Sequence, residues 1–279
     1  MQIDTYFGIK GFVPTSFVDW PDKICSVIFL AGCTFRCPYC HNSSLALHPE
    51  SLDDVSLESI LSRLDSRKAW IDGVTVTGGE PTARRGLPEL LYMFQKQGIS
   101  VKLDTNGSNP SMLQWIIEND LVHAVYMDVK APLDERCYSR AAGTRVNPDI
   151  IYRSIDILKR SSIEIVFRTT VIPGLVAEEE LEEIRRTLGH VDTFLVQRFR
   201  NESTLDPSFT QLPEFNEDRF LSMQNRYEVR GSIRRRPEGL SEQLVDAAWG
   251  SPPVQGRPDC STDVPSLSNS SPLRTEVMV

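Results

Sequence analysis

Three cysteines, Cys33, Cys37 and Cys40, fall within eight residues of a 279-residue chain, in the run Ala31-Gly32-Cys33-Thr34-Phe35-Arg36-Cys37-Pro38-Tyr39-Cys40-His41-Asn42. A C-x3-C-x2-C loop can wrap three thiolates around one face of a small inorganic object. Zinc would need a fourth ligand, which His41 or Cys25 could supply. The run Cys37-Pro38-Tyr39-Cys40-His41 also fits the C-x-x-C-H pattern of haem attachment, which leaves Cys33 without a task. A [4Fe–4S] cluster has four irons, and three cysteines leave one of them open to an outside molecule. Thiols acting only as small buried hydrophobes are seldom gathered so tightly. Cys25, Cys137 and Cys260 stand apart and have no cluster spacing.

Further polar residues sit where apolar runs end. Val74-Thr75-Val76-Thr77 leads into Gly78-Gly79-Glu80-Pro81, where paired glycines allow close backbone approach and an acid can accept from an ammonium. Leu103-Asp104-Thr105-Asn106-Gly107 can make an Asx-type turn or offer Asp104 and Asn106 to a ligand. In Tyr126-Met127-Asp128-Val129-Lys130, strand alternation puts Asp128 and Lys130 on one face, suited to each other or to a zwitterion. Arg168 lies among apolar residues in Phe167-Arg168-Thr169-Thr170-Val171, and a buried guanidinium demands a carboxylate partner.

The elements that must position these residues alternate strictly. Strands are predicted over 26–30, 74–77, 100–104, 124–128, 164–170 and 193–198. Helices are predicted over 53–70, 87–97, 110–119, 148–159 and 177–188, with another over 213–227. Asn109-Pro110 and Asn147-Pro148 read as helix starts, and Gly98 as a left-handed helix end. Six β-α units imply an α/β fold with a parallel sheet, either a partial (β/α) barrel or a doubly wound sheet. Both gather function at the C-terminal strand ends. After about residue 231, prolines and serines dominate, which predicts a disordered tail over 231–279 behind a core of residues 1–230.

Composition narrows the class. Thirty Lys and Arg against 38 Asp and Glu give a net charge of −8, which argues against nucleic acid or an anionic membrane as partner. No apolar run approaches the ~20 residues of a membrane span. The N-terminal run MQIDTYFGIKGF has no secretory character, so a cytoplasmic protein with reduced thiols is expected rather than a disulfide framework.

With its aromatic Tyr39 before the last cysteine, the cysteine loop resembles the signature of the radical S-adenosylmethionine (SAM) enzymes. The resemblance implies a partial (β/α)6 TIM-like barrel and one [4Fe–4S] cluster on Cys33, Cys37 and Cys40, with SAM on the open iron. Gly78, Gly79 and Glu80 then resemble the element that holds the SAM amino group. Gly11-Phe12, the run Thr15–Pro21, Cys40-His41-Asn42, LDTNG, MDVK and RTTV are together similar to glycyl-radical-enzyme activating proteins. Within these they best resemble the activating proteins of anaerobic ribonucleoside-triphosphate reductase, over about residues 7–200. That likeness implies Asp104, Asn106, Asp128, Lys130 and Arg168 as SAM-pocket residues and Tyr39 near the adenine, with His41 and Asn42 shaping the loop.

The activity so implied is reductive cleavage of SAM and hydrogen abstraction from a glycine of a partner glycyl radical enzyme. Flavodoxin or a ferredoxin would be the electron donor, and no side chain is required as acid or base. The Gly8–Trp20 segment and the open side of the barrel are candidates for gripping the partner. A pyruvate formate-lyase activating enzyme, or another radical SAM enzyme, is the alternative within the same chemistry. An iron–sulfur electron carrier or a zinc-stabilised binding module is the alternative outside it. No cysteine lies between Cys40 and Gly78, where larger activases carry extra clusters, so one cluster is expected. Anaerobic reconstitution should therefore load four irons per chain. Cys37→Ala should abolish loading, whereas joint replacement of Cys25, Cys137 and Cys260 by alanine should retain it, as iron and sulfide assays will read.

Overall fold

A computed structural model describes residues 6–231. Its eight strands form one sheet in chain order: β1 (Ile9–Ser16), β2 (Cys25–Leu30), β3 (Gly73–Gly78), β4 (Ser100–Thr105), β5 (Ala124–Asp128), β6 (Glu164–Val171), β7 (Thr193–Arg198) and β8 (Val229–Arg230). Strands β2 to β7 are mutually parallel, while β1 and β8 run antiparallel at the two edges. The six parallel strands are the six predicted ones, and the sheet is an open barrel rather than a doubly wound layer. The helices are α1 (Ser43–Leu47), α2 (Leu57–Asp65), α3 (Leu87–Lys96), α4 (Pro110–Glu118), α5 (Glu135–Ala142), α6 (Pro148–Arg160), α7 (Glu178–Leu188) and α8 (Glu217–Tyr227).

The expected punctuation is in place. The Asn109 side chain accepts from the Met112 N–H at 3.2 Å and that of Asn147 from Asp149 at 3.0 Å. Gly98 has φ +69° at the end of α3. The predicted helix over 53–70 contracts to α2, which Ser56 caps by accepting from Ser59. Strands β1 and β8 and helices α1 and α5 lie outside the predicted set. Pro14, which lacks a donor, is tolerated in β1 because that strand is, among the described residues, an edge strand.

Strand alternation separates two cores. Ile28, Val76, Leu103, Met127 and Phe167 face outward into the large core shared with the helices. Inside the barrel Trp20, Cys25, Val27, Ala124, Tyr126 and Val166 form a small second cluster. The register Ile9↔Leu30 and Ser16↔Cys25 puts the start of β1 beside the C-terminal end of β2, and its finish beside the opposite end. The chain following β1 therefore turns under the barrel, where Trp20 is fully buried. A Cβ on Gly73 would come within 2.7 Å of the Trp20 ring, which is why the first residue of β3 is glycine. Trp20 is thus a floor plug, which corrects its assignment to the segment gripping a partner.

The assigned tail from 232 onward, Cys260 included, lies outside the described residues. Within them, no helix is long and apolar enough to cross a membrane. Trp20→Ala should cost about 3–5 kcal/mol, the range for emptying a buried aromatic site. A denaturant titration by far-UV circular dichroism will measure the loss.

Candidate active site

The cysteine loop leaves the C-terminal end of β2 and is held by backbone on several sides. Gly32 N–H donates to Leu45 O and Arg36 N–H to Ala142 O, at 2.8 and 2.7 Å. Asp206 N–H donates to Pro38 O at 2.8 Å. The His41 ring bonds the Arg200 carbonyl at 2.8 Å, and the Asn42 amide donates to Gly78 O at 3.1 Å. Both side chains thus shape the loop; of the two fourth-ligand alternatives, Cys25 begins β2 at the far end, and His41 engages the Arg200 carbonyl through its Nε2. Gly143, with φ +64°, lets Arg36 approach so closely that a Cβ there would fall 1.9 Å from its carbonyl.

Cys33, Cys37 and Cys40 line one cavity of about 410 Å3 together with Tyr39, Gly78, Gly79, Asp104, Asn106, Asp128, Lys130 and Arg168. Every residue assigned from the sequence except Glu80 reaches this space. Among the described residues no three His, Cys, Asp or Glu side chains close around a single-ion position. Three thiols on the wall of a shared, larger cavity fit a polynuclear cluster. Burial pushes the Cys37 thiol up to about 11 and raises Cys33 and Cys40 as well, while the Lys130 ammonium pulls all three the other way. Ligation must therefore expel protons, and Lys130 is the charge that eases it.

The opposite wall is a chain of ion pairs. Arg168 Nε donates to Asp128 Oδ1 at 2.8 Å, and its Nη1 lies 3.6 Å from Asp104 Oδ1. Lys130 donates to Asp128 Oδ2 at 3.0 Å, so the two side chains that alternation put on one face do pair. Lys102, which the sequence reading passed over, donates to Asp104 Oδ1 at 2.5 Å. Burial alone would raise the Asp128 carboxyl, but Arg168 and Lys130 outweigh it and hold it at about 2. Burial would also lower Lys130, and Asp128 with Tyr39 and Cys37 reverses that.

Glu80 sits differently from its expected place. It is fully buried, and its oxygens accept from Thr82 N–H, the Thr82 and Thr105 hydroxyls and Asn106 N–H, at 3.1, 2.5, 2.7 and 2.7 Å. Burial still raises its carboxyl despite these donors. Its geometry ties the Gly78-Gly79 turn to the end of β4, and thereby holds Asn106, whose amide points to Cys33 Sγ at 3.8 Å and Thr34 Oγ1 at 3.1 Å. The glycines serve close packing: a Cβ on Gly79 would lie 1.8 Å from Gly32 O, and one on Gly78 2.4 Å from Leu30 N. The cavity also takes Gln197, Arg198, Phe199 and Arg200 from the end of β7. Their signal in the sequence was position alone, at and just past the C-terminal end of a predicted strand.

The Radical SAM superfamily model matches residues 27–188, more than half of the chain, and the chain belongs to that superfamily. Its members use a [4Fe–4S] cluster and SAM, and the three thiols and the zwitterionic wall described above fit both. Within the superfamily, the chain is 34% identical over 209 residues to a candidate glycyl-radical enzyme activating enzyme of Methanocaldococcus jannaschii, covering 74% of this chain and 85% of that one. It is 25% identical over 197 residues to the pyruvate formate-lyase 1-activating enzyme of Escherichia coli K12, covering 66% and 77%. The chain thus belongs to the glycyl-radical enzyme activating enzymes, a family of radical chemistry. Its fold matches that of Streptococcus suis SuiB bound to S-adenosylmethionine with a TM-score of 0.52 at 17% identity, over 70% of this chain and 44% of that one. TYW1 with a lysine-pyruvate adduct gives 0.51 at 17% identity over 71% of each chain.

Asp128→Asn should cost about 3–5 kcal/mol, because it strands Arg168 and Lys130 beside a neutral amide. Held at about 2 against an ordinary 3.8, Asp128 stabilises the fold fully above its ordinary value, and that contribution is lost as pH falls through about 2. Denaturant midpoints measured from pH 7 down to acid should therefore converge for wild type and variant.

Proposed function

We propose that this chain activates an anaerobic ribonucleoside-triphosphate reductase by generating a glycyl radical on it. The observation that supports the chemistry of this reading is the meeting of the cysteine loop and the charged wall in one cavity at the C-terminal end of the barrel, and the choice of reductase rests on the resemblance of the LDTNG, MDVK and RTTV runs. Cys33, Cys37 and Cys40 would hold the cluster through three irons. Asp104, Asp128, Lys130 and Arg168 would orient the methionyl zwitterion of SAM, with Gly78, Gly79 and Asn106 on its flank and Tyr39 near the adenine. Glu80 would act by fixing Asn106. When bound, the cluster and SAM supply a one-electron reductive cleavage whose 5′-deoxyadenosyl product takes a hydrogen atom from the partner's glycine.

The protein's own contribution is placement and exclusion of water, with the electron coming from a flavodoxin or ferredoxin-type donor. No side chain moves a proton. The partner's glycine loop would enter at the open side between β1 and β8, the two edge strands among the described residues. Gly8, whose carbonyl accepts from Ala31 beside the cysteine loop, lies at the site end of β1. Activation of pyruvate formate-lyase is the second reading, favoured by the likeness to the E. coli enzyme across most of its length.

The reconstituted protein, reduced with dithionite, should release 5′-deoxyadenosine from SAM. Incubated in turn with an anaerobic ribonucleotide reductase and a pyruvate formate-lyase, it should give a glycyl doublet by electron paramagnetic resonance with the reductase. A doublet only with the lyase transfers the assignment to the second reading. Absence of deoxyadenosine, with Cys37→Ala indistinguishable from wild type, refutes the chemistry itself.

A further inference from the structure

Lys102 is a fully buried lysine in the middle of the barrel, and no ligand in the cavity can touch it. The register stacks it below the site. Lys102 stands beside Ala124, Asp104 beside Tyr126, and Asp128 beside Arg168, so the interior rises from lysine through carboxylate and ring to the ion pair at the mouth. The Lys102 ammonium bonds Asp104 Oδ1 at 2.5 Å and lies 4.3 Å from the centre of the Tyr126 ring. Arg168 reaches the same oxygen at 3.6 Å and the same ring at 5.6 Å. Tyr126 is itself fixed by donating to Glu164 at 2.9 Å. Two cations therefore share one carboxylate oxygen and one aromatic ring, each of which offsets part of the cost of desolvating them.

The charge count is the consequence. Within the group of side chains paired to one another, Lys102, Arg168 and Lys130 face Asp104 and Asp128, three cations against two anions, with Asp19 acting on Lys102 from outside the group. Without Lys102 the group would be neutral, and Asp104 would draw Arg168 toward itself, away from Asp128. We propose that Lys102 is a positioning residue that acts through Asp104, leaving the cavity wall one positive charge in excess to receive the carboxylate of SAM. The excess is delivered where a ligand carboxylate meets Arg168 and Lys130, while the amine supplying it stays out of reach. Among the described residues, Asp19 and Cys25 from below and Arg168 from above act on it beside Asp104. Burial pulls its proton affinity down and the Asp104 carboxylate restores part of it.

The inference rests on the activating-enzyme reading, and the test separates the two. Equilibrium binding to the cluster-loaded, unreduced protein is measured for SAM and for decarboxylated SAM, which differs only by the missing carboxylate. Wild type should prefer SAM. Lys102→Met should weaken SAM by about tenfold, the order expected for one unit charge acting through a partly buried site, and leave the decarboxylated compound unchanged. Lys102→Met with Asp104→Asn, which restores the single excess charge, should recover part of the preference. Iron content and thermal midpoint confirm that the variants are folded and loaded. Equal weakening of both ligands, or of neither, overturns the role assigned to Lys102 while leaving the activating-enzyme reading intact. Failure of the wild-type protein to bind SAM at all overturns both.

Discussion

Charge inside a barrel has to be balanced before it can be used. Here Asp104 and Asp128, two carboxylates on neighbouring strands, offset all but one of the positive charges that Lys102, Arg168 and Lys130 bring. A lone guanidinium or ammonium at these depths would cost several kcal/mol of desolvation. Linked by ion pairs of 2.5 to 3.6 Å, the five groups instead form one continuous wall. Lys130 extends it toward the cysteine loop, where its charge opposes the burial that raises the three thiols.

The loop across the cavity is organised by different means. It has little regular structure, so neighbouring backbone fixes it: Leu45, Ala142 and Arg200 carbonyls, and the turn of Gly78-Gly79 pressed against Gly32. Glu80 connects the two systems. Its buried carboxylate gathers donors from the turn and from the end of β4, so that Asn106 and the cysteine loop keep a constant relation. The protein thus spends its polar burial on fixing distances between a metal-binding loop and a charged wall. That division suits a reaction whose bond-making belongs to the bound groups.

Much of this was legible in the chain because it is local. The six parallel strands follow from apolar runs with turn residues between them, and the helix starts at Asn109 and Asn147 follow from cap chemistry. Asp128 and Lys130 share a face because alternation in a strand leaves no other choice. What escaped depends on long-range packing. Strand β1, IKGFVPTS, carries a glycine and a proline and is held by a single neighbour, so nothing within it announces a strand. Lys102 in VKLDT looks like a solvent-facing residue until the barrel closes over it. Glu80 has the acid that a ligand ammonium would want, yet its donors Thr105 and Asn106 arrive from another strand, 25 and 26 residues further along the chain. A motif can thus name the right residues while the fold assigns one of them to support.

The central claim is that one cavity holds a three-cysteine cluster and SAM together. The electron paramagnetic resonance spectrum of the reduced cluster, recorded in the reconstituted protein with and without SAM under conditions that suppress turnover, tests it most directly. SAM on the open iron should shift the principal g-values of the cluster signal, and Arg168→Gln should require far more SAM for the same shift. An identical spectrum with and without saturating SAM would contradict the account.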